Sequence, residues 1–167
     1  MNGATIQAYN KHADVYHQET ENFWANFPTS IIETFTSQLI GKQVLDVGSG
    51  SGRDALILKG EGLEITCIDG SKSMVEKTRK LGFKSYLMDF EAMEFPRESF
   101  DGVWAYTSLL HVPKTDAEKV LEKIYQILKP SGVFLIGMIE GDFEGEVERE
   151  GWQGAARYLR YYNEEEL

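Results

Sequence analysis

Short apolar runs alternate with amphipathic stretches along most of this chain. Val44, Leu45 and Val47 make a compact, β-branched run, the pattern of a strand buried on both faces of a sheet. The pattern predicts strands near 43–47, 64–69, 84–87, 100–106 and 132–139. Helices are predicted between them, near 53–60, 72–81 and 115–128, the second capped by Ser71 or Ser73 and stopped at Gly82. Pro130 and Gly132 turn the chain out of the third helix into the last strand. Strand alternating with helix predicts an α/β fold with a doubly wound, mostly parallel sheet and flanking helices.

Ahead of the first strand, residues 1–41 read as a helical cap. Tyr9, Ala13 and Tyr16 share helical spacing, as do Ile31, Ile32, Phe35 and Leu39, and Pro28, Thr29 and Ser30 look like a helix start. Residues 42–140 form the alternating core. Residues 141–167 are an acidic and aromatic C-terminal segment of the same domain, which a length of 167 residues predicts to be single.

The charge balance narrows the partners. At a formal net charge of −10 and without a cluster of Lys and Arg, the chain lacks the surface that tracks phosphates, so nucleic acid is not expected as substrate. No apolar run approaches the roughly 20 residues that span a bilayer, so no membrane partner is expected. The N-terminus lacks a basic-then-apolar leader, and the single cysteine, Cys67, permits no internal disulfide. A cytoplasmic location is the expectation. No His, Cys and carboxylate group has metal-ligand spacing, so no metal is expected, and no Ser-His-Asp arrangement is legible.

The candidate chemistry gathers at Val44 to Ala55, VLDVGSGSGRDA. Gly48, Gly50 and Gly52 alternate with Ser49 and Ser51 between a strand and a helix start. Such a turn lets backbone lie close to a ligand, and a helix N-terminus favours negative charge. Arg53 stands where a dinucleotide fingerprint has its last glycine. Asp69 ends the next apolar run, about 20 residues on, a spacing that suits a carboxylate bonding ribose hydroxyls.

These segments resemble, in order, the motifs of the class I S-adenosylmethionine-dependent methyltransferases of the small-molecule type. VLDVGSGSGRDA and CIDGS are similar to the first two motifs, MDFEAMEFP (88–96) to the third, SFDGVWAYTSLLHVP (99–113) to the fourth, and ILKPSGVFLI (127–136) to the segment after it. The resemblance covers roughly residues 43–140. It implies a Rossmann-like sheet, S-adenosyl-L-methionine as cofactor with S-adenosyl-L-homocysteine as product, and in-line methyl transfer to a small-molecule acceptor.

Carried over residue by residue, the resemblance places Gly48, Ser49 and Gly50 beside the methionine moiety, Asp69 on the ribose, and Gly70 and Ser71 just after it. Asp46 either orients the glycine loop or meets the methionine part through water. Arg53 is either a solvated cation or a partner for the cofactor carboxylate. Met74 either lies along the adenine or is a core methionine. Asp89 accepts from the adenine amino group or is a loop carboxylate, with the Phe90 N–H facing a ring nitrogen. Ala105 and Tyr106 end the fourth strand on the sulfonium side. Tyr9 and Tyr16 either line the site or pack on the sheet. His111 is the candidate general base, with packing as its other reading; no catalytic residue is otherwise assigned.

The pattern departs from the family after Ile139. The family's sheet normally has seven strands, the last two an antiparallel hairpin, and this sequence ends where YYNEEEL would begin the next helix. The expectation is a C-terminally truncated form with that hairpin missing. It leaves GVFLIGMI as an apolar edge, an association hazard, to be covered by residues 141–167 or by a second copy in a homodimer. The alternative reading is a catalytically impaired cofactor-binding remnant or interaction module. A weaker third, a nicotinamide-dependent oxidoreductase, is disfavoured by Arg53.

Overall fold

The computed structural model describes residues 2–166. Five parallel strands form one sheet: β1 (Gln43–Val47), β2 (Glu64–Asp69), β3 (Lys84–Leu87), β4 (Phe100–Tyr106) and β5 (Leu128–Gly137), in the order β3-β2-β1-β4-β5. The chain runs outward from β1 through β2 to β3, then crosses to β4 on the other side. The order therefore reverses between β1 and β4, and ligands of such sheets bind outside the carboxyl ends of the strands at that reversal.

Both faces of the sheet are buried, as the continuous apolar runs require. One cluster joins Leu45, Val47 and Val103 to Val120, Ile124 and Ile127 of α7 (Lys114–Ile127). The other joins Val44, Cys67 and Trp104 to Ile32 and Phe35 of α4 (Ser30–Gln38) and to Ala55 and Leu58 of α5 (Arg53–Gly60). The helix α6 (Lys72–Lys80) is capped by Ser71, whose hydroxyl accepts from the Met74 N–H. At the far end of the sheet, Asp101 accepts from the Gln43 N–H and from Lys129.

The last strand begins earlier than its sequence suggests. The helix stops at Ile127, Leu128 already pairs with Phe100, and the register then shifts so that Gly102 faces Val133. The residues between bulge out around Ser131, which takes φ 64. Proline and glycine there mark a bulge inside β5, a place where neither needs to complete a ladder.

The N-terminal 41 residues supply α1 (Gly3–Lys11), α2 (Ala13–Thr20) and the short α3 (Phe23–Asn26) before α4. Residues 141–166 do not start a helix. They form an antiparallel ribbon of β6 (Glu144–Glu148) and β7 (Ala156–Arg160), separate from the main sheet, followed by a single 3-10 turn at Glu164–Glu166. The expected helix start at YYNEEEL is pre-empted because Tyr162 is extended beside the end of β5. Its N–H donates to the Ile139 carbonyl at 3.0 Å, and its carbonyl accepts from Gly141 at 3.1 Å.

The ribbon does fold back, but onto α1 rather than along the sheet. Trp152, in the turn between β6 and β7, is fully buried against Ala8, Tyr9 and Tyr16. Among the described residues no strand pairs with the outer edge of β5. Phe134, Ile136 and Met138 on that strand, with Val120 and Leu121 of α7, line an apolar groove. The cover expected from residues 141–167 therefore reaches only the end of the edge, at Tyr162.

Candidate functional site

The glycine turn is fastened to the end of β2. The N–H groups of Gly48 and Ser49 both donate to the Ile68 carbonyl, at 2.9 and 3.0 Å. The Gly50 N–H donates to Asp69 Oδ2 at 2.9 Å, and the Ser71 N–H to Asp69 Oδ1 at 2.8 Å. Gly48 takes φ +74, and a Cβ on it would sit 2.4 Å from the Ser108 Cβ. No other residue fits there. His17 reaches the same loop from α2, its Nδ1 lying 3.1 Å from Ser51 Oγ.

Asp69 is thus both a brace and a lining group of the cleft. Its carboxylate accepts one backbone bond on each oxygen, which leaves lone pairs for two further donors. Burial pushes its pKa up to about 6, against the pull of the Ser71 and Gly50 N–H groups. Asp69 lines a cleft whose other walls are the glycine loop, Phe90, Tyr106 and Thr107 at the end of β4, and Tyr9 and Tyr16 overhead. Thr107 holds φ 55, a strained conformation for a β-branched residue, secured by its N–H bond to the Gly137 carbonyl.

The roof is held from two sides. Asn10 of α1 accepts through its side chain from Ser71 Oγ and the Ser73 N–H, and through its carbonyl from Ser73 Oγ. On the other flank, the Tyr158 N–H of β7 donates to Thr5 Oγ1 at 2.9 Å. His111 completes this seam. Its Nδ1 lies 2.7 Å from the Tyr158 carbonyl, which can only accept, so Nδ1 carries the proton and Nε2 accepts the Tyr9 hydroxyl at 2.9 Å. Arg157 donates to the Tyr9 oxygen in turn. Burial holds the His111 imidazole neutral, its pKa lowered to about 4. His111 lines the cleft, but both ring nitrogens are engaged in joining α1, β7 and the turn after β4.

Arg53 enters the cleft from the first residue of α5. Its Nε and Nη2 donate to the two oxygens of Asp54, at 2.6 and 3.1 Å. Those oxygens also take the indole N–H of Trp24 at 2.8 Å and of Trp104 at 3.1 Å. The guanidinium lies over the Phe23 ring, 4.1 Å from its centre.

Of the sequence candidates, Tyr9, Tyr16, Gly48, Ser49, Gly50, Arg53, Asp69, Phe90, Tyr106 and His111 come together on this cleft. The others do not line it. Met74 and Ala105 are buried in the core, Gly70 and Ser71 form the turn into α6, and Asp89 caps the 3-10 turn at Phe90–Ala92. Asp46 is buried beneath the loop, its pKa raised by burial and by the neighbouring Asp54 charge, and its Oδ2 has no hydrogen-bond partner.

Sequence reasoning missed Thr20, Ser51, Asp54 and Ser108 as lining residues. Asp54, next to Arg53, was the findable one, as the only carboxylate in the first turn of that helix. Neither His12 nor His17 carries a sequence signal that places it against the site. His12 stacks on Trp152 with ring centres 4.9 Å apart. Among the described residues no cluster of His, Cys, Asp and Glu forms a metal site, and no helix is long and apolar enough to cross a membrane.

Comparison with known proteins follows the same geometry. Residues 45–136 match the family model described as the methyltransferase domain. Over 103 residues the chain is 36% identical to a sterol 24-C-methyltransferase of Gibberella zeae, covering 56% of this chain and 26% of that protein. Over 110 residues it is 34% identical to an S-adenosyl-L-methionine-dependent Diels–Alderase of Talaromyces variabilis, covering 60% of this chain and 37% of that protein. The chain thus spans 26–37% of the length of these curated relatives. Among solved structures, a DhpI–SAM–HEP complex aligns with a TM-score of 0.73 at 21% identity, covering 99% of this chain and 86% of that one, which shows a shared fold.

Proposed function

This chain belongs to the methyltransferase domain family, and from that premise we propose that it binds S-adenosyl-L-methionine in the cleft above the glycine turn and transfers its methyl group to a small-molecule acceptor. The observation that carries the reading is Asp69, a buried carboxylate at the end of β2 that lines the cleft and keeps acceptor capacity on both oxygens. A second observation fits the same group. Ser49 and Ser108 line the cleft, and their Oγ atoms are buried with no hydrogen-bond partner, whereas buried polar atoms ordinarily have one.

In this reading Asp69 receives the two ribose hydroxyls and Phe90 flanks the adenine. The open backbone of Gly48 and Gly50 lies along the amino-acid end, beside Ser49, Ser108 and Arg53. The bound cofactor supplies an activated methyl group. The chain's own part is alignment and exclusion of water, for which α1, α2 and the ribbon form the roof. Tyr106 and Thr107 hold the end of β4 in place under it. His111 keeps Tyr9 oriented, and a neutral imidazole already bonded on both nitrogens is a positioning group rather than a free base.

Radiolabelled methyl transfer tests the reading. The purified chain, given labelled cofactor and a panel of hydroxyl, amine, thiol and carboxylic acid acceptors, is expected to label at least one class. Binding of S-adenosylhomocysteine with no labelled product across the panel favours the second reading, a cofactor-binding or interaction module without turnover. That reading draws on the bare groove beside β5.

The same groove supports a homodimer through the exposed sheet edge, since an unpaired strand with apolar flanks is a ready surface for a second copy. Leu121 stands exposed there. Sedimentation of the wild type and of Leu121→Glu tests it: a dimer that the variant loses supports the assignment, and a monomeric wild type refutes it. With one cysteine, buried and free, we place the protein in the cytoplasm, which cell fractionation checks.

A further inference from the structure

The carboxylate of Asp54 is far more elaborately held than a helix-start acid needs. It is buried and satisfied by four donors: Trp24 and Arg53 Nε on Oδ1, Trp104 and Arg53 Nη2 on Oδ2. The three side chains come from three separate parts of the fold: α3, the start of α5 and the middle of β4. Arg53 is clamped between this carboxylate on its edge and Phe23 on its face. Its side chain is 13% exposed, it lines the cleft, and among the described residues Nη1 has no hydrogen-bond partner while not being a buried orphan atom. The clamp therefore uses one edge of the guanidinium and leaves another free at the cleft. Arginine presents such edges in a rigid plane, suited to a second carboxylate.

We propose that Asp54, cradled by Trp24 and Trp104, is a positioning residue that aims the free edge of Arg53 at the carboxylate of the cofactor's amino-acid tail. The cleft then selects ligands that carry that tail over those that carry only the adenosine and sulfur. This rests on the cofactor reading above and deepens it. A purely structural role for the Asp54 network would stabilise the cap without distinguishing between ligands that share the adenosine. Burial of the guanidinium against Phe23 and Trp24 means that the N-terminal segment, remote in sequence, takes part in reading the tail.

The test compares two probes on the full chain by calorimetry: S-adenosylhomocysteine, and 5′-methylthioadenosine, which has the same nucleoside and thioether but no amino-acid tail. The wild type is expected to prefer S-adenosylhomocysteine by about tenfold or more, the scale of a charge-assisted pair. In Asp54→Ala, and more mildly in Trp24→Phe, that preference collapses toward unity while methylthioadenosine affinity stays within about twofold. Arg53→Lys, which keeps the charge but loses the fork, is expected to fall with Asp54→Ala. Should Asp54→Ala fail to fold, Trp24→Phe and Arg53→Lys carry the comparison, since both leave Asp54 in place. Equal loss of both ligands in a folded variant, or no preference in the wild type, overturns the proposal and leaves the cofactor reading standing. A folded wild type that binds neither probe overturns both.

Discussion

Replacing Trp152 by Ala should detach the C-terminal ribbon from the roof without unfolding the sheet. The indole is fully buried, stacked on His12 at 4.9 Å and edge-on to Tyr9 at 5.5 Å, with the Arg149 and Arg157 guanidinium groups 5.5 and 5.1 Å from its ring. Truncating a buried aromatic side chain costs about 3–5 kcal/mol. Against that, its Nε1 is buried with no hydrogen-bond partner, and losing such an orphan returns about 1–2 kcal/mol. The net expectation is about 1–4 kcal/mol for Trp152→Ala, and about 1 kcal/mol or less for Trp152→Phe, which keeps most of the packing and sheds the orphan. Hydrogen exchange resolves where the loss falls. The Tyr158 amide, bonded to Thr5, should exchange faster in Trp152→Ala, while amides of β1 and β2 stay protected. A loss under about 1 kcal/mol for the alanine variant, or equal losses for alanine and phenylalanine, would refute this account of the roof.

Three further outcomes are expected. Gly48→Ala should abolish S-adenosylhomocysteine binding, because its Cβ meets Ser108 at 2.4 Å under a positive φ, whereas Gly62→Ala, with φ +83 and open space, should cost only about 1 kcal/mol of backbone strain in a urea titration. Because Asp69 titrates near 6 and its ionised form accepts the ribose hydroxyls, S-adenosylhomocysteine affinity should be about tenfold weaker at pH 5 than at pH 7; Asp69→Asn should flatten that profile in calorimetry. Two of the perturbed groups tilt stability in opposite directions. His111, its folded pKa lowered to about 4, takes up a proton more readily when unfolded, so its contribution is lost as pH falls below its ordinary value near 6.5. Asp69, its folded pKa raised to about 6, binds protons more readily when folded, so stability is gained as pH falls from about 6 toward its ordinary value near 3.8. Relative to the wild type, the change in urea midpoint from pH 7 to pH 5 should therefore be more positive in His111→Asn and more negative in Asp69→Asn.

The sheet was legible because its chemistry is local. Val44 to Val47 and Ile65 to Ile68 announce buried parallel strands by composition alone, and the glycine turn and Asp69 follow from adjacency to their ends. What the sequence hid is set by contacts between distant residues. Tyr9 meets Arg157 and Thr5 meets Tyr158 across 148 and 153 positions, and nothing in either segment signals its partner. Trp24, Asp54 and Trp104 read separately as core residues and a helix acid; only the fold joins them. The late start assigned to β5 has a similar origin. Pro130 and Gly132 carry a genuine turn signal, and pairing of Leu128 with Phe100 overrides it. The ribbon of β6 and β7 was masked by its glutamates, since Glu144, Glu146 and Glu148 face solvent and leave no apolar alternation.

The central claim is that Asp69 holds the ribose of a bound cofactor, and calorimetric titration of the purified chain with S-adenosylhomocysteine tests it most directly, with Asp69→Ala alongside. Micromolar binding by the wild type, lost in a variant that still folds, is the expected result. Undiminished binding by folded Asp69→Ala, or no binding by the folded wild type, would contradict it.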